Sequence, residues 1–296
     1  MNKQPDARWA FARYRAIAHR LPKAVRGFPP FSARVPDLRA LFGRYDGFIQ
    51  DAYGVLNVGT AAIPGAAARI AEMRAAGKRL VVLTNGASQS GAAALARFHH
   101  WGFDFTADEV IASRDLVAEA LRKDHGGLLW AAIGADDGAL DDLPGDLRPL
   151  DDDLLTRAEG FVFLGSGGWS AARQAALLAA LRADPRPVIC ANPDIVAPRE
   201  TGFTWEPGHF AHDLPGTVQF HGKPFGGAFD EALRRLALPA SRVAMVGDTL
   251  HTDVLGGRAA GCFTVLITGQ GFFAGIDPQP FIAASGITPD FMTESL

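Results

Sequence analysis

The chain has 296 residues, 48% of them hydrophobic and 21% charged, with a formal net charge of -3 and a pI near 6.2. That balance excludes disorder as the dominant state, and it lacks the basic excess that a nucleic-acid partner calls for. Two cysteines exclude a disulfide framework and fit a reducing compartment; with no apolar run of about 18 residues and no signal-type start, a cytoplasmic α/β protein without a membrane partner is expected, in one large or two smaller domains.

Residues 1–30 set Arg8, Arg13, Arg15, Arg20, Lys23 and Arg26 against Asp6, while Trp9, Tyr14, Ile17 and Leu21 share one helical face. A short amphipathic helix docking on its own domain or on a partner subunit is expected. A transit peptide is the alternative, but the segment has no serine, which such peptides carry. Pro29 and Pro30 then break the chain. Residues 48–56 predict a buried strand ending in a loop. A helix is expected from Pro64 to about residue 76, with Gly77 as its cap. Residues 79–83 (RLVVL) predict a second buried strand, followed by the turn Thr84-Asn85-Gly86 and by helices near 89–101 and 108–123. Between about 126 and 216 the pattern repeats on a smaller scale, through LLWAAIG, GFVFLG, a helix at 170–183 and PVICANPD. VAMVGD (243–248), a helix at 252–260 and FTVLIT (263–268) return to the first pattern. Alternation of this kind implies a parallel sheet. The expected organisation is an arm at 1–30, an α/β core from 31–124 and 218–296, and an inserted domain at 125–217.

In open parallel sheets ligands bind at the carboxyl ends of the strands. Three predicted strands end there in reactive groups: Asp51, Thr84 with Asn85, and Asp248. Lys223, one of only five lysines, lies in the loop HGKPFGG before a predicted helix. Each of these alone has an ordinary explanation as a turn or helix-capping residue. Together, two carboxylates, a hydroxyl and an ammonium suit a site for Mg²⁺ and phosphate.

DAYGVL (51–56), LTNGAS (83–88), GKP (222–224) and GDTLHTDVLGG (247–257) resemble, in order and spacing, the four motifs of the haloacid dehalogenase (HAD) superfamily. The insert carrying CANPD (190–194) resembles the α/β cap of subclass IIA, and the likeness covers roughly residues 45–296. It implies a Rossmann-like parallel-sheet core with a smaller inserted α/β cap, and hydrolysis of a small phosphorylated metabolite through an aspartyl-phosphate. The resemblance assigns Asp51 as nucleophile, and Asp51, Asp248, Asp253 and the backbone carbonyl of Tyr53 as the Mg²⁺ site. It assigns Thr84 and the backbone at Asn85 and Gly86 as phosphoryl donors, and Lys223 as the balancing charge. Tyr53, Gly54, Asn192 and Asp194 are expected to contact substrate. Caps of this subclass often contribute to dimers, which makes a homodimer one arrangement the resemblance allows.

The phosphatase branch has a second Asp two residues after the nucleophile, serving as general acid and base, where this chain has Tyr53. Tyrosine titrates near pH ~10 and is a poor base at neutral pH. Three readings follow: a Mg²⁺-dependent phosphatase that is slow or restricted to good leaving groups; a non-catalytic phosphate-binding or regulatory homologue; and a haloacid dehalogenase, whose first motif also carries Tyr there but which needs no metal. Among weaker signals, Asn192-Pro193-Asp194 also suits a plain turn. His209 and His212, near Trp205 and Glu206, have transition-metal spacing without a third ligand, so a cap-hinge or substrate-contact role is expected. LGSGGWS (164–170) lacks the Walker lysine, and a tight turn is expected. Cys190 and Cys262 suit small buried positions.

Overall fold

The computed structural model describes residues 4–124, 127–134 and 140–296, all of them except the side chain of residue 124 in full. Two parallel sheets organise the chain. The larger has seven strands in the spatial order Ala33–Arg34, Phe291–Thr293, Phe263–Ile267, Val243–Gly247, Gly47–Gln50, Arg79–Thr84 and Val110–Ala112. Every pairing in it is parallel. The smaller sheet has five parallel strands in the order Val218–Phe220, Val188–Cys190, Gly160–Phe163, Leu129–Ile133 and Asp146–Pro149.

The middle strands of both sheets are continuous apolar runs because helices cover both faces. Gly47–Gln50, Val243–Gly247 and Gly160–Phe163 are buried throughout. Helices Ala66–Ala75 and Gly91–His100 turn Ile70, Met73, Ala94 and Phe98 onto one face of the larger sheet. Helix Gly226–Leu236 places Ala228, Phe229 and Ala232 on the other. No helix among the described residues is long and apolar enough to cross a membrane.

Three boundaries differ from the sequence expectation. The helix expected over 108–123 begins at Ser113, because Val110–Ala112 forms the edge strand of the larger sheet. Thr106 and Glu109 close a reciprocal capping box around the single turn before it, so a helix start is present locally but the buried VIA run overrides it. Val218–Phe220, expected in the core segment, pairs with the smaller sheet through Val188–Cys190. The expected helix at 252–260 starts earlier, as a wide turn at Leu250–Val254 that tightens into Leu255–Ala259. The expected junction between residues 124 and 125 borders residues 125–126, which lie outside the described ones.

Cys190 and Cys262 are buried and unpaired, and burial pushes the Cys262 thiol up to about 12. Phe48, fully buried on the strand Gly47–Gln50, packs edge-on against Phe42 and Tyr45 with ring centres 6.2 and 6.4 Å apart. Phe48→Ala is expected to lower unfolding free energy by about 3–5 kcal/mol, measurable as a reduced midpoint in urea with an unchanged slope.

Candidate active site

Strands Gly47–Gln50 and Val243–Gly247 are neighbours in the middle of the larger sheet, so the residues that follow them emerge side by side. The backbone N–H of Asp51 donates to Val246 O at 2.8 Å, which fixes the two strand ends in register. Carboxylate oxygens of Asp51, Asp248 and Asp253 come within 4.8 Å of one another. Lys223 Nζ reaches into the group, 2.5 Å from Asp51 Oδ1 and 2.8 Å from Asp253 Oδ1, and is 1% exposed.

Each carboxylate is held from behind. Asp51 Oδ1 accepts the Ala52 N–H at 2.6 Å. Asp248 accepts from the Thr249 hydroxyl at 3.0 Å and from the Phe272 N–H at 2.7 Å. Asp253 Oδ2 accepts the N–H groups of Asp248 and Thr249 at 3.1 and 3.0 Å, closing the turn between strand and helix. Burial of like charges governs the electrostatics. Burial pushes the Asp51 carboxyl up to about 7 against the pull of Lys223. Burial, then Asp253 and Asp51, hold Asp248 well above the carboxylate range. For Lys223 burial pulls downward, but Asp253, Asp51 and Asp194 more than offset it and keep the ammonium charged.

With all three carboxyls ionised, one ammonium would leave a surplus of negative charge, which is why burial together with the neighbouring carboxylates raises Asp51 and Asp248. Asp253 Oδ1 is buried and finds no directed hydrogen bond among the described residues despite its ion pair. An all-oxygen donor set with unused acceptor capacity fits a hard divalent cation such as Mg²⁺.

The second strand end carries hydrogen bonds of its own. Thr84 is buried, and its Oγ1 accepts the Gly86 N–H at 3.2 Å. The Asn85 side chain is engaged through both its oxygen and its nitrogen. Its Oδ1 accepts the Lys223 N–H at 2.7 Å, and its Nδ2 donates to Lys223 O and to Asp194 Oδ1, both at 2.9 Å. Asn85 therefore fixes the lysine's backbone and joins it to the smaller sheet. Ser113, missed in the sequence, supports it by donating to Asn85 O at 2.9 Å. Gly222 makes the approach possible: at φ +110, an added Cβ would lie 2.5 Å from Asn85 Oδ1.

These groups open onto a cavity of about 500 Å³ between the two sheets' carboxyl ends. Asp51, Tyr53, Thr84, Asn85 and Gly86 line it from the core, and Asn192, Asp194, Arg199 and Glu206 from the inserted domain. Asn192 does form the expected turn, accepting the Asp194 N–H at 3.0 Å, and also donates to Glu206 at 3.0 Å. Burial raises the carboxyls of Asp194 and Glu206. The Arg199 guanidinium, also missed in the sequence, lies 5.1 Å from the centre of the Tyr53 ring and 3.1 Å from Glu206. Arg199 leaves no local signal, since PRET reads as an ordinary turn. Ser166 and Gly167, expected only as a tight turn, form part of the cavity wall, while Ser170 caps the helix Ala171–Ala183.

Gly54 packs against Asp248, where at φ +76 a Cβ would lie 2.2 Å from Oδ2. His209 and His212 lie outside the residues that line the cavity. His209 stacks on Trp205 and His212 on Phe220, and burial lowers the two imidazoles to about 4 and about 3, keeping them neutral. Aromatic neighbours on both histidines turned a metal-like spacing into packing.

Residues 48–143 match the family model of the haloacid dehalogenase-like hydrolases, and residues 220–294 match a second model described as HAD-hydrolase-like. The ribonucleotide monophosphatase NagD of Escherichia coli is 30% identical over 241 residues, spanning 79% of this chain and 92% of its own. The chain belongs to the haloacid dehalogenase-like hydrolases. Human glycerol-3-phosphate phosphatase is 26% identical over 295 residues, covering 87% of this chain and 91% of its own. Among solved structures, one from Cytophaga hutchinsonii described as a "possible sugar phosphatase, HAD superfamily" superposes with a TM-score of 0.78 at 26% identity, over 89% of this chain and 98% of that one. This HAD-family hydrolase thus has the core and inserted cap of subclass IIA.

Gly54→Ala is expected to displace Asp248 and strain the backbone by about 1–3 kcal/mol. A lowered melting temperature together with lost activity checks this.

Proposed function

We propose that the protein is a Mg²⁺-dependent phosphatase that hydrolyses small phosphorylated metabolites through a phosphoryl group transferred to Asp51. The observation that carries this reading is the convergence of Asp51, Asp248 and Asp253, with Lys223 paired to Asp51 and Asp253, beside the cavity between core and cap. NagD and the glycerol-3-phosphate phosphatase, named for phosphate ester hydrolysis, support it. Buried, unpaired Cys190 and Cys262 support a reducing, cytoplasmic setting.

Asp51, Asp248, Asp253 and the Tyr53 carbonyl would hold Mg²⁺, which neutralises negative charge between an anionic nucleophile and an anionic phosphate. Asp51 attacks phosphorus with its cavity-facing oxygen, while Lys223 and the Ala52 N–H draw charge from the other. The phosphorus–oxygen bond to the leaving group breaks as the Asp51–phosphorus bond forms, and water then cleaves the acyl phosphate to release inorganic phosphate. Thr84 lies where it can donate to the phosphoryl oxygens. Cap residues Asn192, Asp194 and Arg199 face the leaving group.

No carboxylate follows two residues after Asp51. The Tyr53 ring there lies against Arg199, so leaving groups that depart without a proton, such as aryl, enol or acyl phosphates, are favoured. Of the other readings, dehalogenation also tolerates Tyr at this position, but it has no use for the buried Asp248 and Asp253 pair. A binding or regulatory role would leave the surplus carboxylates without a chemical purpose.

Hydrolysis of p-nitrophenyl phosphate is expected to require Mg²⁺ and to disappear in Asp51→Asn. Metal-independent halide release, or silence in both proteins, would overturn the phosphatase reading. Since a well-placed acid–base group contributes about 10²–10⁴ in rate, Tyr53→Asp is expected to raise turnover of alkyl phosphates by about tenfold or more, with a smaller gain on aryl esters.

A further inference from the structure

The N-terminal arm lies outside both matched segments, 48–143 and 220–294, yet it is built into the molecule. Asp6 caps the helix Ala7–Ala16 by accepting the Trp9 N–H at 2.8 Å. A ten-residue helix is marginal on its own in water, so this one depends on the surfaces it covers. There are two such surfaces, and they belong to different sheets.

Toward the core, Tyr14 stacks on His251 with ring centres 4.8 Å apart, and Phe11 meets His251 and Phe281 edge-on at 5.4 and 4.9 Å. Toward the cap, Trp9 meets Trp205 and His209 edge-on at 4.4 and 5.1 Å. Arg13 donates to His209 O at 3.0 Å and pairs with Asp213 at 2.8 Å; Arg20 donates to His212 O. These cations meet carbonyls at the end of the short helix Pro207–Ala211, where positive charge is favoured. The Tyr14 hydroxyl accepts the Ile195 N–H at 3.1 Å.

The arm's contacts are next in sequence to the site. Ile195 follows Asp194, Trp205 precedes Glu206, and His251 stands two residues before Asp253. Ahead of the helix, Gln4 Nε2 donates to Thr201 O at 3.3 Å in the cap turn, and Gln4 and Pro5 line the cavity beside Arg199.

We propose that residues 4–21 latch the cap to the core and form one wall of the substrate cavity, so that the arm selects compact phosphate monoesters over bulky ones. This rests on the phosphatase reading for its substrate but not for the latch itself. Phe11 and Tyr14 anchor the arm to the core, Tyr14 also accepting from Ile195 of the cap, and cap-facing Trp9, Arg13 and Arg20 hold the cap against it. Loosening the cap-facing set lowers the fraction of molecules with the cap seated, and apparent affinity falls by the same factor. A seated fraction of about one tenth raises KM about tenfold, while turnover at saturation, which comes from the seated form, changes little.

The test uses the full chain carrying Trp9→Ala, Arg13→Ala and Arg20→Ala together, which leaves the core-facing anchors intact. The expected result is a KM for p-nitrophenyl phosphate about tenfold higher with kcat nearly unchanged. Discrimination against the bulkier naphthyl phosphate should fall, and amide hydrogen exchange should rise at 195–213. Asp213→Ala, altered on the cap side, should give a smaller shift in the same direction, and Arg13→Lys should restore part of the loss. Unchanged KM, selectivity and exchange overturn the latch, as does a loss of kcat at constant KM. If the wild-type protein hydrolyses no phosphate ester, the phosphatase reading fails; exchange at 195–213 still decides the latch, and its being unchanged in the triple variant overturns it.

Discussion

Three buried carboxylates meeting at one point is the constraint on which the rest of the structure depends. Unpaired buried charge is expensive, and here it is tolerated only because every carboxylate is gripped by several donors. Parallel neighbours in the middle of the sheet deliver Asp51 and Asp248 side by side. The turn into the following helix folds Asp253 back onto the N–H groups of Asp248 and Thr249. Lys223 arrives from a loop that Asn85 holds in place from the next strand. Glycines supply clearance, Gly54 and Gly271 for Asp248, Gly247 for Asp253 and Gly222 for Asn85. The sheet order, the lysine loop and these glycines are thus parts of one solution to a single electrostatic problem.

The same linkage extends to the cap. Asn85 bonds both Lys223 and Asp194, so the residue that fixes the core's cation also registers the cap. A second tie runs from Glu200 in the cap to the backbone and hydroxyl of Thr60, at 2.7 and 3.1 Å. The N-terminal helix adds a third, through Tyr14 and Arg13. These ties come from separate stretches of sequence, and the first of them lies on the cavity wall. Cap position is therefore a property of the whole chain, including an arm that the two matched family segments do not contain.

Much of this was legible in the sequence because it depends on local signals. Buried strands announce themselves as apolar runs, and Asp51, Thr84 and Asp248 stand out as the polar residues ending them. What stayed hidden depends on long-range pairing. Val110–Ala112 carries only three apolar residues beside a genuine capping box, and nothing local says that it pairs with Arg79–Thr84. Val218–Phe220 is likewise defined by its partner and not by its pattern. Arg199 sits in a turn of unremarkable composition, and only the fold brings it over Tyr53. His209 and His212, whose spacing without a third ligand argued against a metal site, have Trp205, Trp9 and Phe220 as their surroundings, which no local pattern foretells.

Tyr53 joins these threads. Its backbone is constrained by the site, since Gly54 must approach Asp248 closely and its N–H donates to Asn57 O at 2.7 Å. Its side chain is free of that constraint, and it lies against Arg199, which is itself paired with Glu206. A carboxylate at this position would meet the same guanidinium and would compete with Glu206 for it. Such pairing favours the ionised form, which suits a base but weakens an acid. The cap environment above residue 53 is thus matched to an aromatic ring. Tyr53 and Arg199 are for this reason best treated as one coupled feature of the cavity, a core ring and a cap guanidinium packed against each other.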